Sequence, residues 1–163
     1  MNRCLILPLF LFSLVSSAFA LDEGLQNMVD GKRFMEENGR RQEVKTTASG
    51  LQYEILTLGE GAKPKKSDKV LVHYRGTLIN GTEFDSSYKR GEPASFGLTQ
   101  VIKGWTEILQ LMPVGSKFRV VIPPGLAYGE RGSPPTIGPA STLIFDIELI
   151  DIAKPVVPPG SAY

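Results

Sequence analysis

The chain has 163 residues, 42% of them hydrophobic and 21% charged, with 18 Lys and Arg against 17 Asp and Glu. That balance lacks the basic surplus with which a protein grips a nucleic-acid backbone. A single cysteine, Cys4, and a single histidine, His73, leave little material for disulfide, thiol or metal chemistry.

The first twenty residues read as a secretory signal. Arg3 gives a positive start, Leu5 to Val15 is apolar, and Ala18-Phe19-Ala20 is a small-x-small cleavage site. An uncleaved anchor is the rival reading, but the apolar run is short for a span of about 20 residues and contains Pro8. Cleavage after Ala20 removes Cys4 and Arg3, so the side chains of the mature protein carry 17 positive and 17 negative charges. The expected location is the periplasm or the exterior, with no stable membrane span after cleavage. A disulfide-free domain there must rely on its core alone, which about 100 residues can supply.

Residues 22–39 predict a short helix with Leu25, Met28 and Val29 on one stripe, extended by Met35 and weakened by Gly31. Leu51 to Leu58 is strand-like. From Val70, the residues Val70, Val72 and Tyr74 alternate with Leu71, His73 and Arg75, and Asn80-Gly81 is a strong signal for a tight hairpin turn. Tyr74 therefore faces the core with Val70 and Val72, and His73 faces away.

Ala94 to Leu98 can form another strand. Trp105, Ile108, Leu109 and Met112 at i, i+3, i+4 and i+7 predict an amphipathic helix, ended by Pro113 and Gly115. Phe118, Val120 and Ile122 alternate in one further strand, and Leu143, Phe145, Ile147 and Leu149 in the last. Between them, residues 123–141 hold so many Gly and Pro that no regular element is expected, only a long stiff loop of the kind used for binding. The proline-rich tail, 153–163, is expected to be extended or disordered. Several strands and one amphipathic helix make an α+β domain, an antiparallel sheet wrapped around one short helix and preceded by a short N-terminal helix.

Conventional catalytic patterns are missing. There is no H-E-x-x-H, no G-x-S-x-G and no metal-spaced cluster, and Gly59-Glu60-Gly61 lacks the frame of a phosphate loop. No cofactor and no metal site are expected.

Five ordered blocks nevertheless resemble a known family. They are SGLQYEIL at 49–56, VLVHYRGTLINGTEFDSS at 70–87, QVIKGWTEILQLMPVG at 100–115, IPPGLAYGERG at 122–132 and TLIFDIELI at 142–150. Together they resemble the FKBP-type peptidyl-prolyl cis-trans isomerases. GKRFMEENGRRQEVKTTASGLQY is similar to the join between helix and isomerase domain in the exported bacterial, Mip-like branch, here with a shortened N-terminal helical region. The implied organisation is a signal at 1–20, a helical segment at 21–46, an isomerase domain at 47–152 and the tail.

The resemblance implies Trp105 as the floor under a proline ring, with Tyr74, Phe84 and Phe145 as walls. It implies that Tyr128 and the backbone N–H of Ile102 donate to substrate carbonyls. Asp85 would pair with Arg90, orient the Tyr74 phenol and present its remaining oxygen to the twisted amide. Val101 and Ile137 complete the substrate-binding set. Ala94, Ser133 and Thr136 stand where the better-known eukaryotic pattern has Phe, His and Ile, which bears on macrolide affinity and substrate preference.

The implied activity is rotation of X-Pro bonds in proline-containing unfolded or nascent polypeptides, with macrolides such as rapamycin as a further ligand class. Two alternatives stay open: a chaperone or binding module that grips proline-containing segments with incidental turnover, and a structural envelope protein with a degenerate pocket.

Overall fold

The computed structural model describes residues 12–153, with side chains from residue 23 onward. The expected tail beyond Ala153, which itself ends the last strand, and the start of the expected signal lie outside the described residues. Helix α1 spans Phe12–Asn38, ten residues earlier at its start than the sequence pattern suggests. No helix among the described residues is long and apolar enough to cross a membrane.

Seven strands follow: β1 (Val44–Thr46), β2 (Gln52–Thr57), β3 (Lys69–Leu78), β4 (Glu83–Ser86), β5 (Ala94–Gly97), β6 (Lys117–Ile122) and β7 (Leu143–Ala153). They form one antiparallel sheet in the order β1-β2-β6-β7-β3-β4, with β5 also paired to β3. Two short helices interrupt the strands, α2 (Ser87–Arg90) and α3 (Lys103–Leu109).

The alternations read from sequence become the inner face of this sheet. Val70, Val72, Tyr74, Phe118, Val120, Ile122, Leu143, Phe145, Ile147 and Leu149 are all buried. Against them lies α3, which contributes Trp105, Ile108 and Leu109, with Met112 just beyond its end. Gly104 allows that approach, since a Cβ there would sit 2.6 Å from Ile122 Cγ2. The Asn80-Gly81 turn joins β3 to β4 with Gly81 at φ +89°, where a side chain would be strained.

The segment 123–141 is more ordered than its composition suggests. It holds two single turns of 3₁₀ helix, Pro124–Leu126 and Gly129–Arg131, and a β-bridge between Ser133 and Ile137. Pro124 starts the first turn without loss, because the first amide of a helix has no internal partner to bond.

The apolar stripe of α1 faces solvent: Leu25, Met28 and Val29 are 61%, 50% and 60% exposed. The helix meets the domain through Gly24, Asn27, Gly31, Phe34 and Asn38, at alternating steps of three and four residues. Gly31 is buried against Thr142, where a Cβ would lie 2.3 Å from the Thr142 hydroxyl. Asn27 donates to the Pro139 carbonyl at 2.9 Å, and Gln52 donates to the Met35 carbonyl at 2.8 Å. The glycine that weakens the helix in a sequence reading is the point of closest approach in the fold.

Candidate functional site

One face of the sheet opens over the N-terminal end of α3 in a hollow of about 420 Å³. From β3 comes Tyr74, placed by the period-2 alternation that buries Val70 and Val72 beside it. Neighbouring β4 delivers two consecutive residues, Phe84 and Asp85, although strand geometry sends consecutive side chains to opposite faces. A bulge removes the conflict. Asp85 pairs with Gly76 and Glu83 with Thr77, so Phe84 is the extra residue, and a bulge of this kind re-aims a side chain.

Trp105, only 4% exposed, lies at the bottom. Three rings stand almost at right angles to its indole: Tyr74 at 5.1 Å between centroids, Phe145 at 5.3 Å and Phe96 at 5.5 Å. Phe84 meets Phe145 edge to face at 5.5 Å. Such pairs favour their perpendicular geometry by about 0.5–1.5 kcal/mol each beyond the area they bury. The walls therefore hold one another upright. The indole Nε1 is the one buried side-chain nitrogen or oxygen without a partner among the described residues.

A closed cluster of charge and hydroxyl sits on the rim. Tyr74 Oη donates to Asp85 Oδ2 at 2.5 Å, Arg90 Nη1 donates to Asp85 Oδ1 at 2.6 Å, and Arg90 Nη2 donates to Tyr74 Oη at 2.8 Å. Burial acts to raise the Asp85 pKa, but the hydrogen bonds from Tyr74 and Arg90 and the guanidinium charge outweigh it and hold the carboxyl below its ordinary value. The Tyr74 phenol is raised, first by burial and then by its bond to Asp85. The cluster thus stays Tyr–OH, carboxylate and guanidinium. Both Asp85 oxygens already accept a bond, so neither is left over; each offers only its second lone pair.

Local chain features fix these partners. Ser86 caps α2 by accepting from the Lys89 amide, and Gly91 closes it in the left-handed region, which carries Arg90 back toward Asp85. The fully buried Ser87 hydroxyl accepts from the Tyr74 amide at 2.8 Å and lies 2.9 Å from His73 Nδ1. His73 faces away from the hollow and stacks on Tyr88 at 4.6 Å.

Of the ten residues singled out from sequence, eight line the hollow: Tyr74, Phe84, Asp85, Val101, Ile102, Trp105, Tyr128 and Phe145. Arg90 stands at its edge, bonded to Asp85 and Tyr74. Ile137 is elsewhere: it is 5% exposed, packs in the core and lines the separate groove beside α1, because its bridge to Ser133 turns it inward. Tyr128, by contrast, is 42% exposed.

Phe96 and Gln100 also line the hollow, and the sequence reading missed them. Phe96 was within reach, since it lies two residues after Ala94 in the same expected strand. No set of three or more His, Cys, Asp or Glu residues among the described residues is arranged to hold a metal.

A family model for the FKBP-type peptidyl-prolyl cis-trans isomerase matches residues 60–150. A second, for the domain amino terminal to that isomerase, matches residues 17–55. The chain is 51% identical over 141 residues to the FKBP-type peptidyl-prolyl cis-trans isomerase FkpA of Aeromonas hydrophila, covering 86% of this chain and 52% of that protein. It is 54% identical over 123 residues to the FKBP-type 22 kDa peptidyl-prolyl cis-trans isomerase of Escherichia coli, covering 76% and 60%. The chain thus spans little more than half the length of these curated relatives. The crystal structure of FkpA from Escherichia coli superposes with a TM-score of 0.81 at 48% identity, covering 83% of this chain and 63% of that one. A peptidyl-prolyl cis-trans isomerase structure from Pseudomonas syringae gives 0.74 at 40% identity, covering 79% and 95%. With a family model matched over more than half its length, the chain belongs to the FKBP-type peptidyl-prolyl cis-trans isomerase family.

Proposed function

We propose that this chain catalyses rotation about X-Pro bonds in unfolded or newly exported polypeptides. The observation that carries the reading is the hollow itself, floored by Trp105 and walled by Tyr74, Phe84, Phe96 and Phe145, with Asp85 as its only charged lining residue.

The chemistry follows from the amide. A barrier of about 18–20 kcal/mol opposes rotation because resonance keeps the C–N bond planar and places negative charge on the carbonyl oxygen. At the right-angled geometry that resonance is lost, so the carbonyl is less dipolar and loses less on leaving water. An apolar aromatic hollow therefore favours the twisted state over the planar one, and only such differential binding accelerates a reaction. Each 1.36 kcal/mol of preference gives tenfold in rate.

Trp105 supports the proline ring between Tyr74, Phe84 and Phe145. The Ile102 amide begins α3, where the first N–H groups of a helix lack intrahelical partners, and it donates to a substrate carbonyl, as does the exposed Tyr128 hydroxyl. Arg90 and Tyr74 hold Asp85 at the rim, where its negative charge faces the electron-poor carbon of the twisted amide. Val101 lines the entrance. Ile137, 5% exposed and bridged to Ser133, supports the loop that follows Tyr128.

The N-terminal pattern supports export through a signal cleaved after Ala20, and hence action in the periplasm or outside the cell, with the isomerase domain at 47–152. Rapamycin occupies the same hollow. The test is refolding of a protein whose slow phase is X-Pro isomerisation, normally tens of seconds. Wild-type protein should accelerate that phase, rapamycin should suppress the acceleration, and Asp85→Val should abolish most of it. No acceleration by folded wild-type protein would refute the reading.

A further inference from the structure

We infer that Gly76 is a positioning residue that sets the aperture of the hollow; this rests on the function proposed above. In the sheet, Gly76 stands in one row with Asp85 on β4 and Phe145 on β7, and two residues along β3 from Tyr74. Residues paired across a sheet share a face, so a side chain at 76 would project among these three. The chain has none there, and the gap is filled by rings. A Cβ at Gly76 would lie 2.6 Å from Phe84 Cζ, 2.7 Å from Phe84 Cε2 and 2.8 Å from Phe145 Cε1.

Two features separate this from an ordinary glycine requirement. The backbone at Gly76 is outside the left-handed region, so alanine is allowed by φ and would be favoured by strand entropy. The clashing atoms are also the far ends of two side chains and not backbone. Phe145 is almost fully buried and braced by Trp105, whereas Phe84 is only partly buried on its bulge. An added methyl is therefore accommodated mainly by Phe84 swinging off Phe145, with a smaller tilt of Phe145 to relieve its own 2.8 Å contact, which opens the corner where a proline ring is held. A glycine within a strand often marks such a close approach.

Gly76→Ala is expected to keep the fold and lose at least tenfold in kcat/KM, with a shifted emission of Trp105, the only tryptophan in the chain. Phe84→Leu removes the two ring atoms nearest the new methyl. Phe145 Cε1 remains at 2.8 Å, so adding Gly76→Ala to Phe84→Leu should still cost something, but clearly less than Gly76→Ala costs the wild type. Gly31→Ala is the control: it creates a comparable clash with Thr142 and should leave turnover unchanged. The inference is overturned if Gly76→Ala turns over like wild type, or if its effect is as large in the Phe84→Leu background as alone. Should Gly76→Ala fail to fold, the double variant read against Phe84→Leu still decides the matter. A wild-type protein without isomerase activity would instead refute the proposed function.

Discussion

The hollow over Trp105 and the groove between α1 and the 130–142 loop differ in their aromatic and charged lining. The groove is the larger, about 1150 Å³ against about 420 Å³, yet one aromatic residue, Phe34, lines it among six charged ones. In the hollow six aromatic residues surround one charge, Asp85. Volume is therefore a poor guide to chemistry here. The groove offers a proline ring no aromatic floor or walls, its apolar lining being Leu78, Ile79, Ile137 and prolines beside Phe34. The smaller site keeps its single carboxylate fixed by two donors and, in the proposed reaction, would take the amide out of water.

The comparison is broken most severely at the floor. Trp105→Ala should cost about 3–5 kcal/mol of stability and about two orders of magnitude in kcat/KM. Phe34→Ala in the groove should cost about 1 kcal/mol and leave turnover within twofold. Chemical denaturation and a peptide assay on the same samples measure both effects. Equal losses of turnover would erase the distinction.

Next in size is Tyr74→Phe, which preserves the wall but takes from Asp85 Oδ2 its phenolic donor. A loss of about tenfold in kcat/KM, or about 1.4 kcal/mol, is expected with little change in melting temperature.

The pH response should be weaker and lie at the extremes. Asp85 is held below its ordinary 3.8, so its contribution to stability is present above pH 3.8 and is lost as pH falls through the lower folded value. Tyr74 is raised above its ordinary 10.0, so its contribution is present below pH 10.0 and is lost as pH rises through the higher folded value. Between about pH 5 and 9 the cluster keeps one charge state and turnover should not follow it. Tyr88, pushed up to about 12 by burial and its bond to Glu148, should be among the last phenols to ionise in an ultraviolet titration.

The smallest effect belongs to the groove. Arg33→Ala breaks the exposed 2.7 Å pair with Asp30 and should change stability by under about 0.5 kcal/mol, without effect on turnover.

How much of this was legible in the sequence depended on whether a signal was local. The faces of β3, β6 and β7 followed from alternation, and the turn at Asn80-Gly81 from its dipeptide, because both are properties of a few neighbouring residues. The family resemblance located eight lining residues. It did not explain how Phe84 and Asp85 reach the same hollow, since the bulge is defined only by pairing with β3. The seam of α1 was not legible, because Gly31 and Asn27 dock it through close approach and amide bonding, which an apolar count does not detect. The direction of Ile137, toward the core and the groove, was out of reach for a similar reason: it is bridged to Ser133 inside a loop with no period to read.

The most direct test compares two ligands of similar size through the emission of Trp105. One is a planar X-Pro peptide, and the other a pipecolyl α-ketoamide whose adjacent carbonyls are held near a right angle. The account predicts that the twisted ligand binds at least about a hundredfold more tightly, as a mimic of the transition state should. Equal affinity for the two would contradict it.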